Sequence, residues 1–185
     1  LSFLAGCTEK LRLLTSVMVV PHREPILAAK AIATADVLSG GRVILGVGAG
    51  WMQEEFRILK APFEERGKAT DEYLAAWKAL WTEERPSYDG THVAFKNVIF
   101  APKPLQKPHP PIWVGGESPA ALRRAVTLGD AWYPGNNNQQ KPMDTPVRLA
   151  AGMADLKRAA EKHNRDPATI GMSLIAQSPF EWGTF

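Results

Sequence analysis

Three observations predict an α/β fold built on a parallel sheet. Apolar, β-branched runs (LRLLTSVMVV, RVILGV, IWV) alternate along the chain with stretches of helical spacing. Those runs are apolar throughout, as expected of strands covered on both faces. Glycine-dense turns, GVGAG and VGGES, lead from strand ends into the next helix. Strands joined through helices read as right-handed βαβ units. Two architectures satisfy this pattern, a doubly wound sheet and a (β/α)8 TIM barrel. A barrel needs roughly 250 residues, so in a chain of 185 residues it is incomplete.

Leu11 to Val20 is predicted as one buried strand that ends at Pro21. Pro25 suits a first helical turn, and Ile26 to Leu38 is an Ala/Leu-rich helix stopped by Ser39-Gly40-Gly41. Arg42 to Val47 is the next strand, and a short helix runs from Met52 to Leu59. Thr70 to Thr82 is amphipathic, with Tyr73, Leu74, Trp77, Leu80 and Trp81 on one face. Ser87 to Phe100 reads as a hairpin turning at Asp89-Gly90. The proline-rich stretch from Pro102 to Pro111 is a connector, too poor in N–H donors for a central strand. Ile112 to Val114 is a strand, Ser118 to Leu128 a helix, and Asp130 to Tyr133 a strand. Pro146 to His163 is a long helix, and Ile170 to Ile175 is a last strand.

The composition, 45% apolar and 22% charged, is that of a globular protein with a core, and one domain covering 1–185 is expected. The net charge of +3 comes from thinly spread Lys and Arg, which excludes the basic face of a nucleic-acid binder. A single thiol, Cys7, rules out an internal disulfide and points to a reducing cytoplasm. No stretch approaches the roughly 20 apolar residues of a membrane span. Leu4-Ala5-Gly6-Cys7 mimics a lipoprotein cleavage box, but no basic region and no long apolar run precede it. Cys7 is therefore read as a small buried residue at a helix end. The chain starts at Leu1 without Met and stops at Phe185 without a closing helix, so it is expected to be a piece of something longer.

Gly46-Val47-Gly48-Ala49-Gly50-Trp51 follows a strand and opens a helix, the place of a phosphate-binding turn. The dinucleotide fingerprint fails, because Trp51 or Gln53 stands where its third glycine belongs. No Gly-Lys-Ser/Thr of a P-loop is present either. Two readings stay open: a strand end that lets a flat ligand approach the backbone, or a tight turn with no ligand. Val114-Gly115-Gly116-Glu117-Ser118 repeats the arrangement, with Ser118 as N-cap and Pro119 at the first helical position. It is either an anion-binding helix start or an ordinary capped helix. The Gly135-Asn136 loop offers a third backbone contact, and Trp132 and Tyr133 either face a ring or fill the core. His22, His92, His109 and His163 show no metal-ligand spacing. His22 follows a strand's carboxyl end, where barrel active sites lie, but reads first as a solvated loop residue. Glu54 and Glu55, adjacent on a helix, point about 100° apart and do not converge.

Taken together, TSVMVVPHREP (15–25), VLSGGRVILGVGAGWMQEEF (37–56), PFEERGKATDEYLAAWKALW (62–81), PKPLQKPHPPIWVGGESPAALRRA (102–125) and LGDAWYP (128–134) resemble the luciferase-like monooxygenase superfamily. Within it, they are most similar to the branch that uses the deazaflavin coenzyme F420. The resemblance implies a (β/α)8 barrel, here about strands three to seven, with an insertion region near 60–110. Leu1 then falls in the second barrel helix, and strands one, two and eight lie outside the sequence.

By the same resemblance, a flavin-like ring sits at the carboxyl ends of the strands. A bulge that often carries a non-proline cis peptide falls on Ser16-Val17. Gly48 and Gly50 let the cofactor pass, Gly115, Gly116, Glu117 and Ser118 approach the ring and its ribityl-phosphate chain, and the Gly135–Asn138 loop, with Gly135 and Asn136 as its contacts, borders the phosphate. Ala49 stands where several FMN-using members carry a phosphate-pairing Arg, which with Trp51 favours F420 over FMN. Hydride transfer or monooxygenation of a small-molecule substrate is implied, with no metal, no nucleic acid and no membrane. A homodimer is expected for the full-length protein, through helices such as 26–38. Catalytic residues are expected in the first two strands, so no general base is nominated. The alternatives are a non-catalytic flavin-binding relative and an unrelated TIM-barrel enzyme acting on a phosphorylated substrate.

Overall fold

The structure, a computed structural model, describes residues 1–176. It divides into two compact units, Leu1–Pro111 and a second beginning at Ile112.

In the first unit, helix α1 (Ser2–Cys7) precedes two short strands, β1 (Leu13–Leu14) and β2 (Met18–Val19). Both pair in parallel with β3 (Val43–Gly48), whose residues 43–47 are buried. The predicted continuous strand is thus interrupted at 15–17, and Val20–His22 forms a 3-10 turn. Cys7 ends α1 but is exposed, which corrects its expected burial. The short helix contributes no buried residue to the core.

Helix α2 (Pro25–Leu38) has Pro25 at its first position and Glu24 as cap. The Glu24 carboxylate accepts from the Ile26 N–H at 3.2 Å and the Leu27 N–H at 2.6 Å, satisfying two donors that the helix itself leaves open. Gly40 and Gly41, at φ +70° and +77°, end it in left-handed conformation. After α3 (Gln53–Leu59), α4 runs Arg66–Thr82, one turn longer at its start than its apolar pattern indicates. That extra turn is held from outside: the Arg66 guanidinium donates to the carbonyls of Gly50 (3.1 Å) and Phe63 (2.8 Å).

The predicted apolar face of α4 is buried at Tyr73, Leu74, Trp77, Leu80 and Trp81. Trp77 Nε1 donates to Pro25 O at 2.7 Å and Trp81 Nε1 to Ala29 O at 3.1 Å, so the two indoles clamp α4 onto α2. Burying an indole removes about 200 Å² from water, on the order of 5 kcal/mol as an upper bound.

The hairpin is shorter than predicted, with β4 (Tyr88–Asp89) antiparallel to β5 (Ala94–Phe95). Its turn begins at Gly90, whose N–H donates to Val93 O, and the Glu72 carboxylate accepts from the His92 N–H at 2.7 Å. The proline connector is pinned by Asp36, which is fully buried and accepts from Gln106 N (2.9 Å) and Nε2 (2.7 Å).

In the second unit, β6 (Ile112–Gly115), β7 (Ala131–Tyr133) and β8 (Gly171–Met172) form consecutive parallel pairs. Helix α5 (Pro119–Thr127) links the first pair and α6 (Pro146–Lys162) the second. Thr145 caps α6. Gly152 sits where α6 crosses Trp132; a Cβ there would lie 2.6 Å from the indole. The last predicted strand is shorter, although Ile175 still bridges to Gly135. Arg165 closes the unit by donating to Val126 O and Gly129 O, both at 2.7 Å.

Candidate functional site

Residues assigned to a cofactor by resemblance fall in both units, and each set has its own local logic. In the first unit, Leu14 pairs with Ile44 and Met18 with Val47, so four steps on one strand face three on the other. That one-residue excess is a β-bulge, and the peptide bond within it, Ser16-Val17, is cis. Bulge and cis bond both lie where the resemblance places them. Thr15 is drawn toward β3: its Oγ1 donates to Gly46 O at 2.7 Å and its N–H to Ile44 O at 3.3 Å. Gly46 makes this possible, because a Cβ there would overlap the Thr15 carbonyl oxygen.

Ser16 and Val17 are left exposed. With Arg23 and Ile32 they help line an open groove of about 430 Å³, within the size range of small-molecule sites.

Gly48 and Gly50 have packing reasons of their own. A Cβ on Gly48 would come within 3.0 Å of Val17 Cγ2. Gly50 has φ +82°, and its Cβ would meet the Phe56 ring and Val19 at 2.7 Å. The turn is buttressed by a stack that the sequence did not reveal. His22 meets Phe56 edge-on at 4.3 Å, Phe56 meets Phe63 at 5.3 Å, and the Arg66 guanidinium lies 4.2 Å from the Phe63 ring centre. Trp51, beside this turn, is 78% exposed.

His22 is not a solvated loop residue: it ends the Val20–His22 turn. Its Nε2 is buried with no hydrogen-bond partner among the described residues. Burial pushes its pKa below the usual 6.5; the Glu55 carboxylate opposes this and the Arg23 charge adds to it.

In the second unit, β6 ends in Gly115 and Gly116, the latter at φ +103°, and Trp132 Nε1 donates to Gly116 O at 2.9 Å. Ser118 is exposed and caps α5 by accepting from Ala121 N at 3.2 Å. Glu117 points elsewhere: it is only 4% exposed, and its Oε1 accepts from the Gly135 N–H at 2.7 Å. Its Oε2 accepts from Asn138 Nδ2. Asn136 is buried and donates its N–H to Ile175 O at 3.0 Å. Trp132 fills the core, and Tyr133 packs against Trp113 at 5.5 Å. Among the described residues no cluster of His, Cys, Asp or Glu is arranged to hold a metal ion, and no helix is long and apolar enough to cross a membrane.

Parallel strands joined through helices, a bulged strand end and glycine-rich βα turns define an α/β fold of βαβ units. Residues 1–180 match the model of the luciferase-like monooxygenases, and the chain belongs to that family. Among curated proteins it is 39% identical over 147 residues to an FMNH(2)-dependent dimethylsulfone monooxygenase of Pseudomonas putida, a match covering 78% of this chain and 40% of that protein. A protein of the same description from Pseudomonas fluorescens is 28% identical over 182 residues, covering 96% and 47%.

Among solved structures, a monooxygenase of Streptomyces bottropensis superposes with a TM-score of 0.76 at 26% identity, covering 91% of this chain and 50% of that one. The coenzyme F420 dependent tetrahydromethanopterin reductase of Methanopyrus kandleri gives 0.78 at 20% identity, covering 94% and 52%, and shows the fold alone. The expected fold therefore holds: the chain carries about half of a luciferase-like TIM barrel, and it spans about half the length of the relatives it matches.

Proposed function

We propose that the protein is a flavin-dependent oxidoreductase that binds reduced FMN and oxygenates a small organic substrate. Family membership and the bulged Ser16-Val17 strand end support this reading, and the 39% identity to an FMNH(2)-dependent relative carries the choice of FMN. The residues fit such a cofactor. The second unit, taken by itself, offers an exposed N-cap at Ser118 and an amide-rich loop after Asn136 for a phosphate. When bound, reduced flavin supplies the two electrons with which one atom of O2 enters the substrate and the other leaves as water.

This chain's share is binding and orientation. The Thr15 bonds to β3 fix the bulge, and the Phe56–Phe63–Arg66 stack fixes the Gly50 turn. Coenzyme F420 is a second reading, favoured by Ala49, which leaves no cation at that position, and by the exposed Trp51.

The test is a fluorescence titration of the protein, expressed from its complete reading frame, with FMN and with F420. Binding of FMN and FMNH2-dependent oxygen uptake are expected; binding to neither overturns the reading. Self-association belongs to the same proposal, because Leu27 and Leu38 on α2 are 69% and 75% exposed. Light scattering that finds a monomer overturns that part.

A further inference from the structure

We infer that Glu117 is a positioning residue that gives the protein its preference for a phosphorylated cofactor, by ordering the 135–141 loop without touching the phosphate. This rests on the flavin reading above.

The argument starts from the cost of the carboxylate. Glu117 is 4% exposed, and an ionised group so buried is tolerated only when its oxygens are bonded. Both are used: Oε1 takes the Gly135 N–H at 2.7 Å, and Oε2 takes Asn138 Nδ2. Charge-assisted bonds of this kind are the strong ones. Each ends on the loop. Asn138 passes the order on, its Oδ1 accepting from Gln140 N at 2.9 Å and Lys141 N at 3.2 Å. From one buried carboxylate, four residues of the loop, Gly135, Asn138, Gln140 and Lys141, are thus linked, directly or through Asn138, to the end of β6.

The charges around the loop indicate how it would recognise an anion. Residues 135–140 (GNNNQQ) contain no cation. The nearest in sequence, Lys141, is paired with Asp155 at 2.6 Å. Ala49 likewise contributes no charge. Recognition by neutral amide groups depends on their being held in place before the ligand arrives, since ordering them on binding costs affinity. A carboxylate facing the phosphate would repel it. A carboxylate turned inward onto Gly135 and Asn138 instead provides that order.

The experiment compares wild type with Glu117→Gln and Asn138→Ala. The Gln amide keeps one acceptor but sets an N–H against the other donor. In cofactor-free Glu117→Gln, hydrogen exchange of the Gly135 amide is expected to speed up by roughly tenfold, the loss of one charge-assisted bond. The Kd for FMN is expected to rise by a similar factor, while that for riboflavin, which lacks the phosphate, stays within about twofold. Asn138→Ala leaves the carboxylate and its Gly135 bond intact and is expected to show a smaller change of the same sign.

Equal weakening of FMN and riboflavin overturns the proposal, as does unchanged exchange at Gly135. If Glu117→Gln does not fold, Asn138→Ala decides, and unaltered FMN-over-riboflavin preference in it overturns the proposal. Wild-type protein that binds no FMN overturns the flavin reading and the phosphate role together; faster Gly135 exchange in Glu117→Gln would then mark a structural tie only.

Discussion

At the scale of single residues, Gly46 and Thr15 determine each other. The bulge carries the Thr15 carbonyl into the space that any side chain at 46 would fill, so the added Cβ of Gly46→Ala must push against the Thr15 backbone. Overpacking of this kind costs roughly 1–3 kcal/mol, and in a chain of this size the melting temperature is expected to fall by about 3–10 °C. Calorimetry of the variant checks this, and an unchanged Tm would contradict the close approach. His22 leads to a pH prediction. Its native pKa lies below 6.5 because burial disfavours the imidazolium. As pH falls below 6.5, the unfolded chain takes up a proton that the native state resists, so the stability due to neutral His22 is complete above that pH and declines beneath it. Urea unfolding at pH 7.5 and 5.5 is expected to show a smaller acid-side loss for His22→Leu than for wild type. Parallel losses in the two proteins would remove His22 from the cause.

At the scale of elements, α4 depends on contacts far along the chain. Trp77 and Trp81, their ring centres 5.9 Å apart, each bond a carbonyl of α2. Trp77→Phe removes one such bond and part of a buried ring, an expected cost of about 1–3 kcal/mol in denaturant unfolding with the m-value unchanged. A neutral result would show that the clamp is not formed in solution. Helices were legible where caps and apolar spacing coincide: Pro25 and Gly40 bracket α2, and Ser118 and Pro119 open α5. The parallel strands were legible from their unbroken apolar composition. What stayed hidden depends on partners distant in sequence. The run LRLLTSVMVV carries no composition mark of a bulge, because the extra residue exists only relative to the register of β3. The first turn of α4 is set by Arg66 reaching Gly50, and the hairpin turn by Glu72 reaching His92. Within the candidate site, the bulge and cis bond at Ser16-Val17 were legible through the family resemblance, whereas the inward bonds of Glu117 were not. Glu117 resembled a cofactor contact in sequence, yet its carboxylate is spent on Gly135 and Asn138.

At the scale of the whole molecule, binding and folding are linked through mass action, and this separates the two cofactor readings without a known substrate. A ligand that binds only the native state at about a hundredfold its Kd stabilises it by roughly 2.7 kcal/mol. For a domain of this size that corresponds to a rise in melting temperature of about 5–10 °C. The solved neighbour at 20% identity does not bear on the choice, whereas the relative at 39% identity is FMNH(2)-dependent. FMN is therefore expected to give the larger shift at equal concentration, F420 a smaller one, and riboflavin a smaller one still if the 135–141 loop recognises the phosphate. The ordering matters more than the size of any shift, since protein concentration and scan rate are common to the series. A shift with F420 and none with FMN would move the assignment to the deazaflavin, on the side of Ala49 and Trp51. No shift with any of the three, in protein that unfolds cooperatively, would mean that the glycine-rich strand ends serve only the packing seen at Gly46 and Gly50.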